Sequence, residues 1–338
     1  MTREWTAKDI LQLSGAYWAG CALQAAVMLD LFTALHSGPK EEKELAGELG
    51  CDPRGFGMLV TALISLGFVE RSGDGGLKAP EQAIRLLSRD SQDYLGFIIK
   101  HHANIMPAWA KLVTAVQTGA STAERSTLHT PDAAEREDFL MGMFNIARLQ
   151  ADRIADALDL RGRKRLLDVG GGPGTYAVYF CLKNTDLRAT IFDLPTSEPF
   201  ARKIIQRFGL EKRVDFVGGN FLEDALPEGH DVAWLSQVLH GESPDDAARL
   251  VARVGTALKP GGLLCVQDFM LDDDRTGPEH AALFSLNMLV QTCGGQAYSK
   301  NEIARFIRDA GADSVSELDI TLPQSCCVLT GTMKDASK

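Results

Sequence analysis

With 338 residues, 45% hydrophobic and 24% charged, the chain is long enough for a full core and more than one domain. Its net charge of −10 argues against broad binding to nucleic acid or to an anionic membrane, because both require a basic face. No apolar run reaches transmembrane length, and the opening MTREWTAKDI has no apolar stretch behind a basic start, so a cytoplasmic protein outside the membrane is expected.

From Tyr17 to Leu35 apolar residues recur at helical spacing (Trp18, Leu23, Ala26, Val27, Leu31, Phe32), which predicts one amphipathic helix with a broad apolar face. KEEKELAGELG reads as a second helix ending at Gly50, CDPRG as a turn, FGMLVTALISLGFVE as a third helix stopping near Gly67, and RSGDGGLKAP as a hairpin-like excursion. Helix, turn, helix and wing suggest a winged helix. The first 100 residues hold 10 Lys and Arg against 13 Asp and Glu. The would-be recognition helix has Arg54 at its start and no basic residue from Phe56 to Val69, so it lacks donors for phosphates and guanine. The module is expected to pack against a second copy rather than bind DNA.

Residues 93 to 118 look helical and carry His101 and His102, neighbours that point about 100° apart. A metal pair on one helix face needs i, i+4 spacing, so an exposed or lightly packed pair, with no metal, is expected. A loop around STLHTPDAA leads into EDFLMGMFNIARLQADRIADALDL, a long helix whose Met141, Phe144 and Ile146 to Leu149 suit either a core or the roof of a pocket. The seven cysteines show no C-x-x-C spacing and read as reduced, buried thiols, with Cys326 and Cys327 packed in the strand-like CCVLTGT.

RLLDVGGGPGTY, Arg165 to Tyr176, reads as strand, tight turn and helix. The dinucleotide fingerprint G-x-G-x-x-G fails at Thr175, leaving G-x-G-x-G through Gly174. Asp193 ends the next strand, RATIFDL, 19 residues past Gly174, where an acid can accept from ribose hydroxyls. Strands and helices then alternate through VDFVGGN, DVAWLSQVLH, a helix opened by Ser243 and Pro244, and GLLCVQDFML. This predicts an α/β doubly wound, mostly parallel sheet with ligands at the carboxyl ends of its strands: Gly170 to Gly174, Asp193, Asn220, His240 and Asp268. Asp168, an acid at the end of a buried strand, needs a hydrogen-bonded partner, either the turn amides or a ligand amino group.

DVGGGPG, FDLP, VGGNF, SQVLH, VQDFML and GGQAYSKNEIARFIRDAG, in that order, closely resemble the class I S-adenosylmethionine-dependent small-molecule O-methyltransferases, the caffeate-type plant enzymes and their bacterial polyketide-tailoring relatives. The resemblance covers nearly the whole chain. It implies a winged-helix dimerisation domain over residues 1 to 100, a helical linker and active-site roof over 101 to 160, and a Rossmann-like S-adenosylmethionine-binding domain over 161 to 338. It further implies a homodimer, a small-molecule acceptor and S-adenosylmethionine as cofactor. Gly170 and Gly172 would approach the methionine part of that cofactor, Asp193 its ribose, and Asn220 and Phe221 its adenine, with Asp168, Leu194 and Ser236 alongside. His240 falls on the catalytic base and Asp268 on the acid that orients it; Met141, Phe144, Asn145, Met288 and Thr292 fall in the acceptor pocket.

Three positions depart from the family. Asn220 replaces an Asp, Gly241 and Glu242 follow the histidine in place of Asp-Trp, and Ala297 stands where a second carboxylate flanks it. These bear on acceptor choice and base strength. Methyl transfer to carbon or nitrogen, other chemistry on the same cofactor, a nicotinamide-dependent oxidoreductase and a nucleotide-sensing winged-helix regulator are the alternatives. The failed third glycine counts against the oxidoreductase, and the acidic N-terminal half against the regulator.

Overall fold

A computed structural model describes residues 4–123 and 132–335. The chain divides into two compact units, Met1–Asn104 and Ile105–Lys338. The loop expected around residues 126 to 134 lies outside the described residues as far as 131.

In the first unit, α1 (Ala7–Gly15) is opened by a capping box between Thr6 and Asp9. The single helix expected from 17 to 35 is instead α2 (Tyr17–Met28) and α3 (Leu31–Ala34). Between them Asp30 adopts a left-handed φ of 58° while its carboxylate meets Arg89 at 2.6 Å. This break turns Leu31 and Phe32 into the same core as Ala26 and Val27. After α4 (Glu42–Glu48), CDPRG proves to be a helix start rather than a turn. Pro53 opens α5 (Pro53–Ser65), and the Asp52 side chain accepts from the Gly55 amide at 2.9 Å. Strands β1 (Glu70–Arg71) and β2 (Leu77–Lys78) form the antiparallel wing, followed by α6 (Glu81–Leu87).

The helix expected over 93 to 118 is also two: α7 (Gly96–Trp109), which runs across the division between the units, and α8 (Leu112–Thr118). His101 is partly buried and His102 exposed. Burial, with a contribution from His102, pushes the His101 pKa down to about 4.

The second unit continues with α9 (Ala133–Ala157), β3 (Arg165–Val169), α10 (Thr175–Lys183), β4 (Arg188–Asp193), α11 (Glu198–Arg207), β5 (Val214–Gly218) and β6 (His230–Ser236). Then follow α12 (Pro244–Ala257), β7 (Leu258–Phe269), α13 (Glu279–Gln291), α14 (Lys300–Asp309), β8 (Ala312–Glu317) and β9 (Cys326–Met333). The sheet order is β5-β4-β3-β6-β7-β9-β8, with β9 antiparallel to both its neighbours and the other pairings parallel. Strand order reverses between β3 and β6, which opens a crevice there at the carboxyl edge. One face of the sheet (Leu167, Val169, Leu235, Val266) packs on Val251 and Val254 of α12 and on Ile303 and Ile307 of α14. On the other, Trp234 meets Tyr176 and Phe180 of α10 at ring distances of 5.1 and 5.0 Å.

The strand expected to run to His240 ends at Ser236. Gln237 takes a left-handed φ of 59° while its amide bonds the Gln267 carbonyl at 2.9 Å, and a 3₁₀ turn, Leu239–Gly241, carries His240. Among the cysteines, all free thiols, Cys181, Cys265 and Cys326 are buried, but Cys21 and Cys293 are exposed: apolar surroundings in sequence did not place them on the inner faces of their elements. Among the described residues no helix is long and apolar enough to cross a membrane, and no cluster of metal-ligating side chains occurs.

Gly174 is the N-cap of α10 at a φ of 77°, and a Cβ there would stand 2.3 Å from Cδ1 of the fully buried Ile191. Left-handed backbone costs an L residue about 1–2 kcal/mol and overpacking about 1–3 kcal/mol more. Gly174→Ala should therefore lower unfolding stability by about 2–5 kcal/mol in urea titration; a loss below about 0.5 kcal/mol would show that neither constraint holds.

Candidate active site

Strand β3 delivers its last residues to the crevice, and the glycines after it serve different ends. At Gly170 (φ 66°) an added Cβ would meet Val238 Cγ2 at 2.6 Å, and at Gly171 it would meet the Asp168 carboxyl carbon at 2.7 Å. These two make room for the protein's own side chains. Gly172 (φ 52°) differs, since its Cβ would meet only Leu140 Cδ2, at 3.7 Å, so here the missing side chain leaves the backbone open. The Gly172 amide donates to Asp193 Oδ2 at 2.7 Å, while Asp193 Oδ1 accepts from the Leu194 amide at 2.7 Å and from the Ser197 hydroxyl at 2.8 Å. Burial raises the Asp193 carboxyl above its ordinary range. One carboxylate thus ties the end of β4 to the loop after β3.

Asn220 and Ser236 hold local bonds. The Asn220 amide donates to Asp224 at 2.8 Å, and its side-chain oxygen, expected to face an adenine amino group, accepts from the Leu222 amide at 3.0 Å. Phe221 reaches within 3.6 Å of the Gly170 Cβ position. The Ser236 hydroxyl donates to Gln267 Oε1 at 2.5 Å, and Gln267 Nε2 donates to Cys326 Sγ at 3.1 Å. The hydroxyl of Thr175, at the start of α10, is buried without a hydrogen-bond partner. An open loop backbone, an acid at the next strand end and an unpaired buried hydroxyl behind the loop fit a ribose-bearing cofactor with polar ends.

His240 is held from one side. Its Nδ1 lies 2.6 Å from Asp268 Oδ1, and Asp268 Oδ2 accepts from the His240 amide at 3.3 Å. Asp268 is buried and also accepts from the Phe269 amide at 2.8 Å. No described residue bonds His240 Nε2. The imidazole packs at right angles to Phe284 of α13, ring centroids 4.7 Å apart, and Phe284 meets Phe269 at the same distance. Ala297 is fully buried, its amide donating to Ser285 at 3.2 Å. Glu242 is partly buried, which raises its carboxyl, and its carbonyl accepts from the Tyr298 hydroxyl at 2.7 Å.

Of the expected pocket residues, Met141, Phe144 and Asn145 are buried on α9, and Met288 is buried on α13. Phe144 lies under the guanidinium of Arg207 on α11 at 5.7 Å, so it packs between α9 and α11; Leu140 is the α9 residue that reaches Gly172. The Thr292 hydroxyl donates to the Met288 carbonyl at 2.8 Å and accepts from Gly295 at 3.0 Å, closing the end of α13. Phe269 and Phe284 were missed from sequence. Phe284 precedes Met288 by four residues on one helix face, so helical spacing carried that information.

Burial pushes the Asp168 pKa up to about 7, opposed by the Ala177 amide, which donates at 3.3 Å, and reinforced by Asp193. Between pH 4 and 7 the folded chain therefore holds a proton that the unfolded chain releases, and stability at this site falls as pH rises through that window. Asp168→Asn removes the dependence. Its stability relative to the parent should grow from pH 4.5 to 7.5 in denaturant titrations, and a difference independent of pH would refute the assignment.

Residues 109–313 match the model of the O-methyltransferase domain and residues 11–85 that of the O-methyltransferase dimerisation domain. The chain is 34% identical over 326 residues, 95% of each protein, to the tetracenomycin polyketide synthesis 8-O-methyl transferase TcmO of Streptomyces glaucescens. It is 32% identical over 329 residues, 95% of this chain and 94% of the relative, to 3-hydroxy-5-methyl-1-naphthoate 3-O-methyltransferase of Streptomyces sahachiroi. Human N-acetylserotonin methyltransferase, solved in complex with SAM, superposes over 99% of both chains with a TM-score of 0.85 at 25% identity. Fold, ordered motifs and these matches agree, and the chain belongs to the S-adenosylmethionine-dependent O-methyltransferase family.

Proposed function

We propose that this methyltransferase acts on a hydroxyl of an aromatic, polyketide-like small molecule, with His240 as general base and Asp268 as the residue that orients it. The observation that carries the proposal is the 2.6 Å contact between His240 Nδ1 and Asp268 Oδ1. A carboxylate on Nδ1 favours the tautomer protonated there and leaves the Nε2 lone pair to take a proton from the acceptor. The phenylalanines beside the imidazole exclude water from it and offer flat apolar surface to a ring. The relatives named for a naphthoate and for a polyketide support the same acceptor class.

When bound, S-adenosylmethionine supplies a methyl group already activated on a sulfonium, so what this chain's residues add is position and proton removal. We assign cofactor binding to Asp168, Gly170, Gly172, Asp193, Leu194, Asn220, Phe221 and Ser236. The Gly172 amide and the Asp193 carboxylate bond each other, so a ribose at Asp193 would share that carboxylate with the loop. Acceptor binding falls to Met141, Phe144, Asn145, Met288 and Thr292. In this reading residues 1 to 100 serve dimerisation, 101 to 160 link and roof the site, and 161 to 338 bind the cofactor.

The match to a dimerisation domain supports a homodimer, as does the apolar surface of α1 and α2, where Leu11, Leu13 and Trp18 are 73%, 65% and 70% exposed. Such a surface in a monomer would be costly.

General-base help is worth about 10²- to 10⁴-fold. His240→Ala should lose turnover with hydroxynaphthoate acceptors by that factor and still bind S-adenosylhomocysteine in calorimetry; undiminished turnover would remove His240 from the role. Leu11→Glu combined with Trp18→Glu should convert a dimer to a monomer by light scattering after gel filtration. A parent protein that is already monomeric at micromolar concentration would overturn the dimer.

A further inference from the structure

Arg253 joins α12 to the turn that follows β5. Its Nη1 donates to the Leu222 carbonyl and its Nη2 to the Asp224 carbonyl. Gly219, where the chain leaves β5, donates its amide to the Asp193 carbonyl at 2.9 Å, so the turn starts beside the acid assigned to the cofactor ribose. Within the turn the Glu223 and Asp224 amides donate to the Asn220 carbonyl at 3.0 and 2.8 Å, and the Asp224 carboxylate accepts from the Asn220 amide at 2.8 Å. Among the described residues, Arg253 supplies the one side chain from outside the turn that bonds residues 220 to 224. A planar guanidinium presents its donors in a fixed fork, so one side chain on α12 sets the spacing of two carbonyls in the turn.

The residue between those anchors is Phe221. The Asn220 side-chain oxygen is engaged by the Leu222 amide at 3.0 Å, so the larger surface the turn can offer a nucleobase is the ring of Phe221. That ring reaches within 3.6 Å of the Gly170 Cβ position and is only partly buried against the core. A half-buried ring is fixed less by packing than by the backbone that carries it, and a ring fixed in advance spares the bound state the cost of ordering it. We propose that Arg253 is a positioning residue for the cofactor, holding the 220–224 turn from α12 so that Phe221 is already in place for the adenine, without touching the ligand itself. The proposal rests on the assignment of Phe221 to cofactor binding, and it extends the cofactor site to a helix none of whose residues is otherwise assigned to it.

The test is calorimetric titration of the full-length protein with S-adenosylhomocysteine, for the parent, Arg253→Met, Arg253→Lys, Phe221→Ala and the double variant Arg253→Met/Phe221→Ala. No turnover is required. A misfolded fraction lowers the stoichiometry, whereas a displaced turn lowers the affinity of the sites that remain. Arg253→Met keeps an unbranched apolar side chain and removes the donors; it should weaken binding by about tenfold, equivalent to about 1.4 kcal/mol, at unchanged stoichiometry. Arg253→Lys, which can reach one carbonyl, should recover part of that loss. Because Arg253 acts through Phe221, the double variant should bind within about twofold of Phe221→Ala alone, the range in which two losses count as one. Losses that multiply in the double variant would overturn the proposal, and so would a loss below about twofold in Arg253→Met. The failure of each assignment is separable: Phe221→Ala binding like the parent removes the adenine contact and the role of Arg253 with it, whereas a loss in Phe221→Ala but not in Arg253→Met removes Arg253 alone.

Discussion

The reversal of strand order between β3 and β6 is the constraint on which the second unit depends. Parallel strands all end on one edge, and where consecutive strands part to opposite sides their following loops splay and leave a crevice. The glycine loop follows β3 and the turn bearing His240 follows β6, so the two halves of the chemistry face that crevice from adjacent strands. Asp193 comes from β4 on one side and Asp268 from β7 on the other. Each of these carboxylates accepts from a backbone amide of a neighbouring segment: Gly172 in the first case and His240 in the second. The site is thereby held together by two acids, each tying a loop to the end of an adjacent strand.

Several residues expected to touch ligands also hold protein. Asn220 closes its own turn, Ser236 bonds Gln267, and Thr292 closes the end of α13. Gly170 and Gly171 make room for Val238 and Asp168. A motif residue can therefore be required by the fold whether or not it meets a ligand, and the missing Cβ of Gly172 is the clearer sign of open space. The departures beside His240 follow the same logic. Where a second carboxylate would flank the histidine, Ala297 is buried, and the imidazole is bordered instead by Phe284. The imidazole is supported by one carboxylate and an aromatic wall.

Much of this was legible in one dimension. The β–α alternation from Arg165, the capping at Ser243 and the wing after α5 follow from local chemistry and spacing, whereas the pairing of an acid with His240 was implied by the family resemblance alone. The errors lie where tertiary packing overrides a continuous pattern. The apolar run from 17 to 35 gives no sign of the left-handed turn at Asp30, which exists because Leu31 and Phe32 must reach the core and Arg89 is there to meet the carboxylate. The run to His240 hides the end of β6 at Ser236 for a similar reason, since the turn through Gln237 is fixed by a bond to β7.

The sequence by itself determined the sheet, the glycine turn and the identities of the groups at the strand ends, because hydrophobic period, glycine and acid placement are properties of a few consecutive residues. Tertiary structure alone decided which of those groups meet. Phe144 and Met288 have equal claims as pocket residues in the linear chain, yet one packs under Arg207 and the other lies on the helix of Phe284. The rings of Phe269 and His280 join His240 through the ring of Phe284, because side-chain neighbours across elements are set by how helices lie on the sheet, which no local spacing encodes.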